Sequence, residues 1–438
     1  MTFYANLGYN FALPNKSGIE LIPSGSIILA SSMPMHQLER RKDLELRYPH
    51  MRKRLFDPQL YLAGLDANQS APACAKLASY PWFGINNLRK YSSGQQKQLQ
   101  WKKEAEQTIP SLWLGTPPSE EKSVRAIVGE CVDFQKRLNC QALILPSPLT
   151  TDPNTSYSQE LLWLDAGLDY KRAHGIDLPA FATVALSDLC LYYTEPSQNH
   201  FLDMILDTVT ARGVDGVYLV LEQSREQAET WHISNTRALW SLLHLTHIFT
   251  QEAKLRVAVN FLGQFGLACE AAGAEIWASD FYKSTYRLRL ADKIGGGRSF
   301  PSYWSFSAAT SINLKTDFDR LGRAGVINQI ADRTEASNGL LMATSSGHGS
   351  NSIPAWEYRQ SNVAAAREHF LRSSLQAAQT LAGYQGQEKL DFISGWLEEA
   401  MKNVQAIDGV LGKSAATSTM HVRAWFDAFN NYRVDHKE

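Results

Sequence analysis

Short apolar runs alternate with stretches of helical period through the first two thirds of the chain, and this alternation limits the fold more than any other feature. Residues 26–31, 55–62, 112–114, 142–146, 180–186, 216–221, 256–261 and 275–278 read as eight strands. Residues 119–139, 157–174, 198–212, 224–252 and 266–272 have the period of amphipathic helices. Strands joined by helical crossovers imply a parallel sheet. Eight such units over about 260 residues predict an α/β fold, a (β/α)8 TIM-like barrel, rather than an open doubly wound sheet. No G-x-G-x-x-G follows a strand, which weakens a dinucleotide-binding reading. Residues 339–343 offer a ninth strand, or the true eighth if 112–114 is loop. From residue 361 the pattern is helical only, over 361–382, 387–406 and 418–432. The expected organisation is an N-terminal cover segment (1–25), a barrel (26–360) with a long insertion at about 281–338, and a helical C-terminal region (361–438).

With 438 residues, 44% hydrophobic and 20% charged, the chain can bury a large core. The balance of 43 Lys+Arg against 44 Asp+Glu argues against a protein that coats nucleic acid non-specifically, because such binding depends on neutralising phosphates. Five Cys without a C-x-x-C disfavour a disulfide framework, a zinc ribbon and an iron–sulfur cluster. No metal ligand set and no cofactor are expected. The N-terminus lacks the charged and apolar regions of a signal peptide, and no run of 18 apolar residues is present. The expectation is a soluble, cytoplasmic protein with no membrane partner.

Chemistry in a barrel projects from the C-terminal ends of its strands. Three carboxylates stand at such ends: Asp57, Glu222 and Asp280. Asp57 is the sharpest of them, a charge inside an apolar run and directly before Pro58. Paired carboxylates suit glycosyl transfer, one as nucleophile or stabiliser of an oxocarbenium-like centre and another as proton donor. Gln59 and Tyr61 share the Asp57 face at period two. Together with Asn260, Gln264, Tyr282 and Arg287, they are candidate substrate-binding residues.

Two basic segments flank these positions. From Arg40 to Arg54 there are seven Lys/Arg against two acidic residues, and from Lys283 to Arg298 five against one. Arg40, Arg41, Arg52, Lys53, Arg289 and Arg298 are therefore candidate phosphate contacts, and RNA or DNA a candidate partner. The C-terminal helices could seat a partner protein. His244 and His247, three residues apart on a helix, read as packed or surface residues rather than metal ligands; His348 in a Gly/Ser loop reads as a flexible tip.

The stretch GQFGLACEAAGAEIWASDFYKSTYR (263–287) resembles the late-barrel segment of the tRNA-guanine transglycosylases, and LFDPQLYL resembles their D-S-G-G-F-Q strand end. That resemblance implies a (β/α)8 barrel that exchanges a nucleobase through a covalent Asp–ribose intermediate. Asp280 would be the nucleophile and Asp57 the base-binding or acid/base carboxylate. Aligning Gly273-Ala274 with the family's G-A places its nucleophile at Ala278, two residues before Asp280 and on the same strand face. The family's C-x-C-x-x-C…H zinc motif is absent.

The expected function is a glycosyl-transfer enzyme acting on a nucleoside or nucleic-acid N-glycosidic bond, by base exchange or base excision. The alternatives are an O-glycoside hydrolase using Glu222 and Asp280, and a non-catalytic barrel that binds or assembles within a nucleic-acid-processing complex.

Overall fold

The computed structural model describes residues 2–8, 11–41, 43–65, 70–83, 118–154, 156–191, 197–224, 232–290, 301–337, 362–412 and 416–437. Eight parallel strands form one sheet: β1 (Phe3–Leu7), β2 (Gly25–Leu29), β3 (Arg54–Asp57), β4 (Leu143–Ile144), β5 (Ala180–Ser187), β6 (Gly216–Glu222), β7 (Arg256–Asn260) and β8 (Ile276–Ser279). Their order is β3-β2-β1-β8-β7-β6-β5-β4. The two edge strands meet where Gln141 N, just before β4, donates to Arg54 O at 3.0 Å. The result is the expected (β/α)8 barrel with a helical extension.

Every residue of β5 and β6 is buried. A parallel strand covered by helices outside and packed inside has no wet face, which is why these strands read as continuous apolar runs. The crossovers include α1 (Ala71–Leu77), α2 (Glu121–Arg137), α3 (Ser158–Ala173), α4 (Ser197–Thr210), α5 (Thr236–His247) and α6 (Gly266–Ala271). α5 starts later than the helical period suggests. The side chain of Asn235 caps it by accepting from Arg237 N and Ala238 N, both at 3.1 Å.

Two strand assignments differ from the sequence reading. The N-terminal segment is not only cover: Phe3–Leu7 is a barrel strand between β2 and β8. Asn6 in its middle gives it a loop-like composition, but inside the barrel that amide donates to Asn260 Oδ1 at 2.7 Å and to Thr285 O at 2.8 Å. The run at 55–62 leaves the sheet at Asp57, because Pro58 has no N–H for the ladder and Gln59 turns left-handed at φ 54°. The candidate strands 112–114 and 339–343 lie outside the described residues.

After β8 the chain forms an antiparallel hairpin, β9 (Ser302–Ser305) and β10 (Thr310–Asn313). Three long helices follow: α7 (Val363–Leu381), α8 (Gln387–Leu411) and α9 (Met420–His436). α7 packs on β1, β9 and α6, and α9 lies along α5. His244 and His247 belong to that second contact, with His244 Nδ1 3.0 Å from His436 Nε2 and His247 Nδ1 2.9 Å from the Tyr432 hydroxyl. Among the described residues no helix is long and apolar enough to cross a membrane.

Candidate active site

β6 defines the barrel interior. Tyr218, Val220 and Glu222 share one face at period two. The Tyr218 hydroxyl crosses the barrel to donate to Asp57 Oδ2 at 2.8 Å, so Glu222 also faces inward, four positions nearer the C-terminal mouth.

Asp57 is fully buried and well supplied with donors. Oδ2 accepts from the hydroxyls of Tyr61 (2.5 Å) and Tyr218, and Oδ1 accepts from Gln59 N at 3.0 Å. Asn260 Nδ2 donates to the Tyr218 hydroxyl at 2.6 Å, and Asn260 Oδ1 accepts from Asn6. One polar layer thus runs through β3, β6, β7 and β1. Burial and the Asp57 charge push both phenols well above their ordinary range, so they remain donors.

Glu222 sits at the end of β6 and is 3% exposed. Its Oε2 accepts from Ser187 Oγ at 2.8 Å. Burial dominates its titration, with Asp188 adding like charge. Hydrogen bonds from Ser187 and the Leu290 backbone and the charge of Arg289 offset this only in part, and the carboxyl is pushed up to about 7. Such a group holds a proton to give near neutral pH.

Asp280 directly follows β8 and is also fully buried. Its Oδ1 accepts from Arg367 Nε and from Phe281 N, both at 2.8 Å. Its Oδ2 has no hydrogen-bond partner among the described residues. The same holds for Gln59 Nε2, Gln223 Oε1, Gln264 Oε1 and Ser279 Oγ. All five atoms belong to residues at or just beyond the ends of β3, β6, β7 and β8. Buried polar atoms are nearly always bonded; unbonded ones also occur away from the mouth, as at Trp163 Nε1, Thr246 Oγ1 and Ser373 Oγ, and those at the ends of β3, β6, β7 and β8 leave capacity for a polar ligand there.

Gln59 Oε1 accepts from Ser31 N at 2.7 Å, and Gln264 Nε2 donates to Ser374 Oγ in α7. Tyr282 is half-buried beneath the Arg367 guanidinium, 5.3 Å from its ring centre. Arg287 is fully buried, and its charge acts on His232 and Tyr286. Arg289 is half-buried beside Glu222.

The end of the first basic segment lies away from this mouth. Arg52 and Lys53 are exposed and precede β3. At about 3.3 Å per residue, Lys53 lies roughly 13 Å from Asp57, toward the opposite end of the barrel. Arg54 is spent inside, bonded to Glu45 at 2.8 Å and to Met51 O. Arg40 is exposed, and Arg41 stacks on Phe11 at 4.7 Å. Arg298 and His348 lie outside the described residues.

Sequence reasoning missed three contributors. Ser187 and Asp188 end β5, where the strand-end rule applied to the run at 180–186 would have found them. Asp188 accepts from Ser224 N at 3.1 Å. Arg367 had no such signal, since it reaches Asp280 across 87 positions of sequence. The described cysteines are all buried and free, and burial pushes the thiols of Cys140, Cys190 and Cys269 up to about 12, too high for nucleophiles. Compared with models of protein families and with curated proteins, the sequence matches none of them.

Proposed function

We propose that the protein is a cytoplasmic glycosyl-transfer enzyme that cleaves or exchanges the N-glycosidic bond of a nucleoside unit in RNA or DNA at the C-terminal mouth of its barrel. The observation that carries this reading is a pair of inward strand-end carboxyl groups in opposed surroundings. Glu222 is pushed up to about 7 by burial, while Asp280 is paired with a guanidinium. Dissimilar carboxyl groups divide acid from nucleophile in glycosyl chemistry. β6 and β8 are separated only by β7, so both carboxyl groups belong to the same sector of the mouth.

In the reaction we propose, Asp280 Oδ2 attacks the anomeric carbon as the C–N bond breaks. The bond pair leaves with the base nitrogen, which takes the Glu222 proton. A sugar ester of Asp280 results. An incoming base or water then attacks the same carbon, loses its proton to Glu222 and releases the Asp280 carboxylate. Gln59, Gln223 and Gln264 supply donor and acceptor atoms for a base edge or sugar hydroxyls. Asp57 is too heavily bonded to share the chemistry and orients Tyr218 and Asn260 instead. The resemblance of residues 263–287 to tRNA-guanine transglycosylases supports Asp280 as the nucleophile, whereas the base-handling role it implies for Asp57 passes in this reading to Glu222 and the glutamines. Arg289, beside Glu222, is a phosphate contact at the mouth.

The test is base release or exchange from single-stranded RNA and DNA oligonucleotides, followed by mass spectrometry. Asp280→Asn and Glu222→Gln should each lower the rate by about 100-fold or more. Wild-type rates in both variants would refute the assignment. Turnover of aryl O-glycosides alone would favour the glycoside hydrolase. A binding or assembly barrel without catalysis is favoured by one observation, the burial of all three carboxylates; inert wild-type protein that retains oligonucleotide binding would select it.

A further inference from the structure

Asp280 is held by one oxygen only. Its Oδ1 takes both donors, the Nε–H of Arg367 and the N–H of Phe281, while Oδ2 bonds to nothing among the described residues. Phe281 is the next residue in the chain, but Arg367 comes from α7, a helix outside the barrel strands.

α7 is fixed over the mouth at several points. Glu368 accepts from the backbone N–H of Lys16 and from the backbone and hydroxyl of Ser17 in the β1–β2 loop, and pairs with Arg372 at 3.0 Å. His369 Nε2 lies 2.7 Å from Trp304 O in β9, and its Nδ1 lies 2.8 Å from the Thr334 hydroxyl. Ser374 receives the amide of Gln264. Arg367 itself is 6% exposed and stacked on Tyr282. Its charge also helps hold the buried His50 neutral. A guanidinium seated this way has little freedom to turn, so the oxygen it chooses is set by the fold.

We infer that Arg367 is the positioning residue of the reaction centre: it engages Oδ1 of Asp280 and leaves Oδ2 as the oxygen that meets the substrate. The C-terminal helical region is therefore part of the site rather than an appendage. The chemical role of Asp280 in this inference rests on the glycosyl-transfer reading; the way it is held does not. Charged and titratable neighbours of the pair are Tyr282 on the β8 side and His50 beyond Arg367.

Infrared difference spectra of protein carrying ¹³C in its Asp carboxyl groups, wild type minus Asp280→Asn, isolate the Asp280 carboxylate without any substrate. One-sided bonding widens the gap between its antisymmetric and symmetric stretches. Arg367→Gln should narrow that gap, and Arg367→Lys should restore part of it. In the oligonucleotide assay, Arg367→Gln should lower kcat by about 100-fold with little change in KM, since a small misplacement of a reacting group costs that much, and Arg367→Lys should fall between. An unchanged gap in folded Arg367→Gln overturns the inference, whatever the activity. If that variant does not fold, Arg367→Lys decides: a narrowed gap supports the inference and a wild-type gap overturns it. A narrowed gap in a protein whose wild type releases no base keeps the positioning role and refutes only the reaction.

Discussion

Two polar regions lie inside the barrel and behave in opposite ways. Around Asp57, the carboxylate oxygens accept from two tyrosine hydroxyls and a backbone N–H, and the layer continues through Asn260 to Asn6. At the mouth, Asp280 Oδ2, Gln223 Oε1 and Gln264 Oε1 are equally buried and have no partner among the described residues. A buried polar network whose members bond mostly to one another contributes to the fold, because each offsets the desolvation of another; within this layer Asn6 Oδ1 has no partner among the described residues. Buried atoms left open cost about 1–3 kcal/mol each and persist where a ligand completes them. Burial and acidity alone do not separate the regions; the tally of hydrogen bonds does.

The contrast breaks most readily at Asp57. Asp57→Ala strands the Tyr61 and Tyr218 hydroxyls in the interior, and should lower unfolding free energy by about 3–5 kcal/mol. Urea denaturation measures this; a loss below about 1 kcal/mol would mean that the layer is not structural.

Glu222 sharpens the comparison through pH. Folding raises its carboxyl from 4.5 to about 7, so the protonated form is the one favoured by the folded state. The stabilisation is complete below the unfolded value and is lost as pH rises through 7, a swing of about 3 kcal/mol. Glu222→Gln stays neutral and escapes that loss. Its melting temperature relative to wild type should therefore climb between pH 4.5 and about pH 8, as followed by calorimetry. A constant difference would place Glu222 in an ordinary, solvated setting.

Gly263 links the mouth to the residues behind it. It sits at φ +56°, and a side-chain carbon there would overlap the Tyr286 ring, whose hydroxyl lies 2.5 Å from His232 Nδ1. Gly263→Ala should cost about 1–3 kcal/mol in denaturant unfolding. A neutral result would mean that the loop after β7 shifts freely.

The smallest effect belongs to the far end. Reversing both Arg52 and Lys53 to Glu should change stability by less than about 0.5 kcal/mol and leave oligonucleotide turnover unaltered. A lost, salt-sensitive affinity in a filter-binding titration would instead tie that end to the nucleic acid.

Much of this architecture is legible in the sequence. The strands β5 to β8 and the helices α2 to α4 fall within a residue or two of their predicted bounds, because long apolar runs and helical periods are local signals. β1 escaped, since a five-residue strand holding Asn6 is recognisable only by the amide partners it meets across the barrel. The strand-end rule led to Asp57, Glu222 and Asp280 and singled out Asp57, the one whose oxygens the fold occupies most fully.

The sequence by itself determined the fold class and which side chains point inward from a strand, since both follow from spacing along the chain. Only the tertiary structure decided that Asp57 is heavily bonded, that Glu222 is pushed toward neutrality and that Asp280 keeps one oxygen open. Those outcomes depend on burial and on partners such as Tyr218 and Arg367, brought into contact from positions far away in the sequence.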